Sequence, residues 1–325
     1  MDELVKASIA TVEAKKKGQV PWDLDVPYDQ PYHVWRLNGW QSTQPSRTYG
    51  ETRIPSIALY SWNIDFMLPF PDSRMRLAIR HLETLVEQEI PTVIFFAECL
   101  ESDLKLIAGD SWVRKRFNIT DVDGSYWQSG HYGTTILVDQ RLPVRACFRV
   151  HYKQTRMERD GLFLDVALGP GKTVRLCNTH AESLALDPPF RPAQLKLCSQ
   201  YMQDEKISGA VLAGDLNAIQ DFDRHLHTDN ELRDAYLEMG GREDDVEGHT
   251  WGQQAATSQR ERFGGSRMDK ILFCGGIRIR SFERFGMGVE LEDASEREHV
   301  VSLGFDKPWI TDHLGVHAIF DVTAE

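Results

Sequence analysis

Four separated segments of the chain carry acidic, amide and imidazole side chains directly after apolar runs. They are Trp62-Asn63-Ile64-Asp65, Ala97-Glu98, Gly214-Asp215-Leu216-Asn217 and Thr311-Asp312-His313. Carboxylate and amide oxygens are the ligands that Mg²⁺ prefers, and an imidazole can stabilise charge that develops on phosphorus. The pattern therefore predicts metal-assisted hydrolysis of a phosphodiester, with the reacting side chains delivered at strand ends.

Each of these residues also has an ordinary structural explanation when it is taken alone. Asn63 could cap a turn, and Asp215 and Asn217 are of types that are common in turns. Glu98 differs because it follows an uncharged run, where an unpaired carboxylate is costly to bury. We expect Glu98 to bind a metal ion, and a structural ion pair is the alternative.

Six motifs in chain order resemble the endonuclease/exonuclease/phosphatase superfamily, over roughly residues 56 to 322. They are Asn63, Glu98, His180, Asp215 with Asn217, Arg267 with Asp269, and Asp312 with His313. The resemblance implies an α/β (α+β) fold, a four-layer αββα sandwich of two mixed sheets flanked by helices. It also implies a metal-dependent hydrolase with Mg²⁺, or Mn²⁺, as its cofactor.

The resemblance implies a role for each residue of the set. Glu98 is the metal ligand, and Asp312 completes the acidic pocket and contacts the metal through water. Asn63 and Asp215 align the attacking water. Asn217, His180 and Ser183 hold the phosphate. His313 stabilises the transition state, with Asp269 hydrogen-bonded to its imidazole.

The stretches between the motifs are similar to the tyrosyl-DNA phosphodiesterase 2 family. In that family, residues at the positions of Trp251 and Tyr132 face the groove that takes a DNA end, and an aromatic side chain can stack on bases for ~1 to 3 kcal/mol per base. The resemblance implies a nucleic-acid end as partner, with a covalently attached 5'-tyrosine or a similar block. The expected substrate-binding residues are Tyr132, Ser183, Trp251, Arg267 and Met268.

Two positions depart from that family and leave other functions open. Met268 stands where the family usually has Phe, and Ile219 stands where it has an Arg near the DNA. Within the same fold, the alternatives are a deadenylase and an apurinic-site nuclease. From a different class, the alternative is an inactive interaction module that uses an aromatic-rich arm.

Composition limits the class of protein. With 325 residues and 41% hydrophobic content, the chain can bury a sizeable core. No stretch approaches the ~20 apolar residues of a membrane span, and the first residues are acidic where a secretory signal is basic. The odd number of cysteines, mostly within apolar runs, predicts reduced core thiols and an intracellular location, in the nucleus or cytoplasm.

The net charge of -12 argues against indiscriminate binding of nucleic acid through a basic surface. Residues 249 to 285 nevertheless hold seven cationic side chains against three acidic ones, a local balance of +4. This stretch is either a solvated face or a rim that faces phosphates.

The chain is expected to divide at residue 55. Residues 1 to 55 should form an amphipathic helix at 2 to 17 and then an aromatic-rich arm, which either packs along the flank of the catalytic domain or binds a partner. Residues 56 to 325 should form the catalytic domain. Strands are predicted at 57–62, 92–98, 132–138, 144–150, 161–168, 173–179, 210–213 and 314–320, and helices at 72–89, with Asp72 or Ser73 as N-cap, and at 191–205.

Overall fold

The computed structural model describes residues 21–45 and 53–322, and the helix predicted at 2 to 17 lies outside them. Within these residues, the strands form two mixed sheets. The first sheet has seven strands in the spatial order β1 (Pro27–Asp29), β8 (Val144–His151), β9 (Asp160–Gly169), β10 (Lys172–Thr179), β11 (Gly209–Asp215), β13 (Asp269–Gly275) and β12 (Arg233–Asp234). Its neighbours are antiparallel, except that β10 and β11 are parallel.

The second sheet has eight strands in the described part of the chain. Their spatial order is β14 (Ile277–Phe285), β15 (Gly315–Val322), β4 (Ser56–Asn63), β5 (Thr92–Leu100), β7 (Tyr132–Asp139), β6 (Phe117–Ile119), β2 (Tyr32–Arg36) and β3 (Gly39–Thr43). Here β4 and β5 are parallel, and the other neighbours are antiparallel.

The two sheets pack face to face, and helices cover their outer faces. Leu59 and Phe95 of one sheet meet Leu164 and Val211 of the other in the central core. Helices α1 (Pro71–Leu85), α2 (Glu101–Gly109), α3 (Ser111–Arg116) and α8 (Ala294–Ser302) lie outside the eight-stranded sheet. Helix α4 (Arg191–Met202) covers the other sheet, and shorter helices are α5 (Leu226–Asp229), α6 (Ala235–Glu238) and α7 (Thr257–Phe263). The predicted αββα sandwich is confirmed.

Most predicted elements are present, with differences at their ends. The predicted N-cap of α1 is wrong, because Phe70 takes the cap position and Pro71 begins the helix. The fixed φ of proline suits the first helical position, and Asp72 then lies in the first turn, where a negative charge suits the helix dipole. Helix α1 ends at Leu85, before the predicted residue 89, because Val86 is already extended.

The described part of the arm adds strands to both sheets. Strand β1 pairs with β8 at the edge of one sheet, and the β2–β3 hairpin continues the other sheet beside β6. The Trp40 indole donates a hydrogen bond to the Ala108 carbonyl at 2.8 Å, and the Arg114 guanidinium lies 4.2 Å from the centre of the Trp35 ring. Residues 27 to 43 thus pack on the sandwich, while the domain boundary at residue 55 stays a prediction.

No helix within residues 21–45 and 53–322 has the length and apolar character needed to cross a bilayer. All five cysteines are free thiols, and four of them are buried.

Candidate active site

The polar residues of the sequence motifs meet at one edge of the sandwich. Asn63 ends β4, His180 follows β10, Asp215 ends β11 and Asp269 begins β13, directly opposite Asp215 in the antiparallel pair. The ends of β10 and β11 come very close, because a Cβ atom on Gly214 would lie 1.8 Å from the Thr179 carbonyl oxygen. Only glycine permits this approach, and Gly214 also has a φ of 148°.

Asp215 lies at the centre of this group. Its Oδ2 accepts a hydrogen bond from the Asn63 amide at 3.0 Å and lies 3.3 Å from His180 Nε2 and 3.7 Å from His313 Nε2. Its Oδ1 accepts from the Asn217 main-chain N–H at 2.8 Å. Burial acts to raise the pKa of Asp215, but the charge of His313 and the bond from His180 outweigh it and hold the pKa below its usual range. Asp215 is therefore ionised.

His313 forms a pair with a second buried carboxylate. Its Nδ1 lies 2.8 Å from Asp269 Oδ2. Burial acts to lower the pKa of His313, but the carboxylates of Asp269, Asp312 and Asp215 raise it well above its usual value. The imidazole is thus a cation at neutral pH, with Nδ1–H donated to Asp269 and Nε2–H directed toward Asp215.

Three carboxylates form an acidic cluster beside Asp215, defined by Asp65, Glu98 and Asp312. Glu98 lies inside β5, at an irregularity between Phe96 and Cys99, and has a left-handed φ of 60°. Its Oε2 accepts from the Phe66 main-chain N–H at 3.0 Å. Burial and the charges of Asp312 and Glu98 raise the pKa of Asp65 well above its usual range.

The chemistry of the acidic cluster fits a divalent cation. Burial also raises the pKa of Asp312, against the opposing effect of His313, and Glu98 adds to the rise. Carboxylates that repel one another in this way are stabilised when a hard cation neutralises them, and oxygen ligands suit Mg²⁺. Among the described residues, two other sets have ligand atoms within 4.8 Å of one another, whereas the three carboxylates of the acidic cluster are more widely spaced. These sets are Glu98 with His180 and Asp215, and Asp215 with Asp269 and His313, and each includes an imidazole, which suits Mg²⁺ less well.

Asp65 ends the first of the four polar segments in the sequence, but the motifs assign it no role. Its only signal was its position two residues after Asn63, whose side-chain oxygen accepts from the Asp65 main-chain N–H at 2.9 Å.

Arg159, which the motifs do not identify, links two of the expected phosphate-binding residues. Its guanidinium donates to His180 Nδ1 and, at 2.9 Å, to the Ser183 hydroxyl. Because Nδ1 accepts a hydrogen bond, the proton of a neutral His180 lies on Nε2. The Ser183 hydroxyl hydrogen is likewise available to another acceptor. Asn217 has a left-handed φ of 47° and donates its amide to the Ala181 carbonyl at 3.1 Å.

Aromatic side chains border the acidic cluster on two separate segments. Tyr132 stacks on Phe66 with ring centres 4.1 Å apart, and Phe66 follows Asp65 in the chain. The Trp251 indole donates to Asp312 Oδ2 at 2.7 Å. Phe263, which is 64% exposed, lies 6.5 Å from the Trp251 ring.

Of the expected substrate contacts, Arg267 is engaged in ion pairs of its own. The Arg267 guanidinium is buried and bound by Asp234, at 2.7 Å, and by Glu243. Met268 contributes its main-chain carbonyl to Leu216 N–H at 2.9 Å. The Arg267 guanidinium is thus occupied by carboxylates, while the half-buried Met268 directly precedes Asp269 and its role in substrate binding stays a prediction.

The cationic stretch from 249 to 285 is largely neutralised within the protein. Arg260 binds Asp306, Lys270 binds Glu243, and Arg278 and Arg280 bind Asp321. Arg284 donates to main-chain carbonyls, and Arg262 lies over the Phe263 ring. The stretch is therefore closer to an internally paired face than to a rim of free cations.

Comparisons with known proteins agree with this architecture. A model of the endonuclease/exonuclease/phosphatase family matches residues 60–313. A search of curated protein sequences finds no match.

Solved structures with a similar fold come from several animals. A D. rerio TDP2 structure, complexed with single strand DNA product, has 17% identity and a TM-score of 0.62, and the match covers 82% of this chain and 99% of that one. A truncated Caenorhabditis elegans TDP2 has 22% identity and a TM-score of 0.60, with coverage of 82% and 98%. The human Nocturnin catalytic domain with bound sulfate anion has 14% identity and a TM-score of 0.56, with coverage of 85% and 97%. At these identities the likeness shows a common fold.

Proposed function

Because the chain belongs to the endonuclease/exonuclease/phosphatase family, we propose that it is an Mg²⁺-dependent phosphodiesterase that hydrolyses nucleic-acid ends blocked by a 5'-phosphotyrosyl or similar group. The observation that carries the proposal is the convergence of Asn63, His180 and His313 on Asp215, beside a cluster of carboxylates. This combination supplies a base, proton donors and metal ligands within one site.

Asp65, Glu98 and Asp312 would hold the divalent cation, Mg²⁺ or Mn²⁺. When bound, such a cation acts as a Lewis acid toward phosphoryl oxygens. The raised pKa values of Asp65 and Asp312 support this assignment, because a cation would offset both the burial and the repulsion that raise them.

Asp215 would orient the attacking water and accept its proton. Its carboxylate is ionised, and the Asn63 amide fixes one of its oxygens at 3.0 Å. A carboxylate held in this way has a defined direction toward a water molecule, which favours in-line attack.

The phosphate oxygens would be bound by three side chains, those of His313, His180 and Ser183. His313 offers a charged N–H that is backed by Asp269. The hydrogen bonds from Arg159 place the proton of a neutral His180 on Nε2, 3.3 Å from Asp215 Oδ2, and leave the Ser183 hydroxyl hydrogen available to donate. Because negative charge on these oxygens grows as water attacks, a fixed cation lowers the barrier more than it strengthens substrate binding.

Three observations support a nucleic-acid end as substrate. Two pairs of aromatic side chains offer surfaces on which bases could stack. They are Tyr132 with Phe66 and Trp251 with Phe263. One protein of similar structure is described in complex with single strand DNA product. The neutralised cationic stretch supports recognition at an end, since binding along a backbone needs a row of free cations.

A panel of substrates with Mg²⁺, Mn²⁺ or excess chelator tests the proposal. We expect the intact chain to release tyrosine from a 5'-tyrosyl oligonucleotide only with metal, and we expect Glu98→Gln and Asp215→Asn to lose most of this turnover. If the protein cleaves polyadenylate or apurinic DNA rapidly and does not act on the tyrosyl end, it belongs to another class of phosphoesterase. Full activity of both variants in chelator would contradict the metal mechanism.

A further inference from the structure

A fully buried arginine lies behind the acidic cluster. Arg74 belongs to the first turn of α1, and within the described ranges no carboxylate forms an ion pair with it. Its guanidinium instead donates to four main-chain carbonyl oxygens. They are those of Leu68, Pro69 and Ile310, each at 2.9 Å, and that of Ile64.

These carbonyls belong to the two segments that carry Asp65 and Asp312. Ile64 precedes Asp65, and Leu68 and Pro69 close the same loop, whereas Ile310 lies two residues before Asp312. A guanidinium is planar and presents five N–H donors in a fixed arrangement, so one side chain fixes the separation and orientation of both segments.

The charge of Arg74 also acts on the acidic cluster. Burial lowers the pKa of Arg74, while the carboxylates of Asp65, Asp103, Glu98 and Asp312 act to raise it. Burying a cation away from a direct partner is costly. The nearby carboxylates explain why this position tolerates a cation, because each charge offsets the cost of burying the other.

We propose that Arg74 is a positioning residue for the metal site, which holds the Asp65 and Asp312 segments in register and offsets the mutual repulsion of the acidic cluster. This inference rests on the proposed function, because it concerns the same cation. It differs from a purely structural role in one respect. A structural residue contributes to stability alone, whereas a positioning residue also sets the affinity of the metal.

Arg74→Lys tests the hydrogen-bonding geometry of the guanidinium separately from its charge. Lysine retains the positive charge, and with it the repulsion of Mg²⁺, but it cannot reach four carbonyls in one plane. Replacing a group that orients metal ligands costs about 10- to 100-fold in metal affinity. We therefore expect the dissociation constant for Mg²⁺ to rise by about 10- to 100-fold, and the turnover number to return close to that of the wild type at saturating Mg²⁺.

The experiment is a titration of the intact chain with MgCl₂ by calorimetry, repeated with Mn²⁺ by electron paramagnetic resonance. Arg175→Lys is the matched control, because Arg175 is also buried and lies in the other sheet, where it binds Asp165. It should lower the thermal midpoint while leaving the Mg²⁺ dissociation constant within about twofold of the wild type. If Arg74→Lys does not fold, Arg74→Met provides the comparison, since it retains the apolar stem. This variant removes the repulsion of Mg²⁺ together with the hydrogen bonds, so weaker Mg²⁺ binding supports the positioning role, and equal or tighter binding overturns it.

Two outcomes distinguish a failure of the role proposed for Arg74 from a failure of the proposed function. Weakened binding in Glu98→Gln with unchanged binding in Arg74→Lys would overturn the role of Arg74 and leave the proposed function intact. A wild-type chain that binds neither Mg²⁺ nor Mn²⁺ would overturn the proposed function, and the inference with it.

Discussion

The pair of His313 and Asp269 makes a prediction at the scale of single residues. His313→Ala should lower the turnover number by on the order of 10²- to 10⁴-fold, because it removes a group that stabilises developing charge. Asp269→Asn should lose part of this effect, and the double variant should lose little more than His313→Ala alone. Steady-state kinetics measures all three, with the exposed His299→Ala as control. Strictly additive losses would contradict a coupled pair.

The same pair predicts the pH dependence of turnover. The carboxylate of Asp269 raises the pKa of His313, so the active cation is present below that pKa and is lost as the pH rises through it. Asp269→Asn removes one negative charge and lowers the pKa of His313. The alkaline limb of the turnover profile should therefore move to lower pH in this variant. If the alkaline limb does not move, the titration of a group other than His313 causes it.

Trp251 has two contacts that substitution can separate. Its indole N–H binds Asp312, and its ring lies beside Phe263. Trp251→Phe removes the hydrogen bond and retains an aromatic surface, whereas Trp251→Ala removes both. If the ring stacks on bases, the alanine variant should raise KM for a 5'-tyrosyl oligonucleotide by about 5- to 100-fold more than the phenylalanine variant, with little difference between them on a small aryl phosphodiester.

Equal behaviour of the two Trp251 variants on both substrates would indicate that the bond to Asp312 is the important contact and that the ring does not stack on the substrate. The structure thereby changes what the sequence predicted, because the motif indicated a groove wall and gave no sign of a bond to the acidic cluster.

Residue types and chain order predicted which side chains meet, but not what supports them. Asn63, His180, Asp215 and His313 all follow recognisable apolar runs, and the structure brings them together. Arg159 and Arg74 carry no such signal. Each acts on carbonyls or side chains that tertiary packing brings near it, and an arginine in a loop or a helix ordinarily points to solvent. The sequence left the cationic stretch open between a solvated face and a phosphate-facing rim for the same reason, since its acidic partners include distant residues such as Asp234 and Asp321.

At the scale of elements, the close approach of β10 and β11 is the feature that a single methyl group would disturb. A Cβ on Gly214 would lie 1.8 Å from the Thr179 carbonyl oxygen, so Gly214→Ala must push the two strand ends apart. We expect a loss of stability on the order of 1 to 3 kcal/mol or more from backbone strain. We also expect turnover to fall, because Asp215 and His180 follow these strand ends.

Chemical denaturation and kinetics measure both effects of Gly214→Ala. Gly39→Ala is the matched control, because a Cβ there meets no atom within 4 Å. Unchanged stability in the Gly214 variant would mean that the strand ends can separate without cost.

Apolar periodicity located strands and helices well where both faces of a strand are covered. Strand β4 follows the predicted run closely, since the central core and the α1 layer bury its two faces. The periodicity did not reveal β1 to β3, which are short, partly exposed and interrupted by proline and turn residues. It also did not reveal that β5 continues past Glu98, because a left-handed residue inside a strand depends on its neighbours in the sheet.

For the whole molecule, the distribution of charge predicts how binding responds to salt. Six of the seven cations between residues 249 and 285 are bound by carboxylates or carbonyls, so few remain to release counterions from a nucleic acid. We expect the logarithm of the association constant for a single-stranded 5'-tyrosyl oligonucleotide to fall with the logarithm of salt concentration with a slope of about -1.4 to -2.1, as for two or three phosphate contacts.

Fluorescence anisotropy with the inactive Asp215→Asn variant measures this slope. Arg262→Ala should reduce it, because Arg262 has no acidic partner among the ion pairs of the described residues. A slope several times steeper would show that the protein binds along the nucleic-acid backbone.

The position of β15 has a consequence for the timing of biosynthesis. This strand, which follows His313 directly, lies between β14 and β4, although about 250 residues of chain separate it from β4. At about 5 to 20 residues per second, a ribosome needs roughly 12 to 50 s to make that stretch. Throughout this time β4 has an open, apolar edge, and Asp215 emerges long before the imidazole that completes its surroundings. The sheet gains this strand in the same step that delivers His313, so the proposed site is complete only when the open edge of β4 is covered.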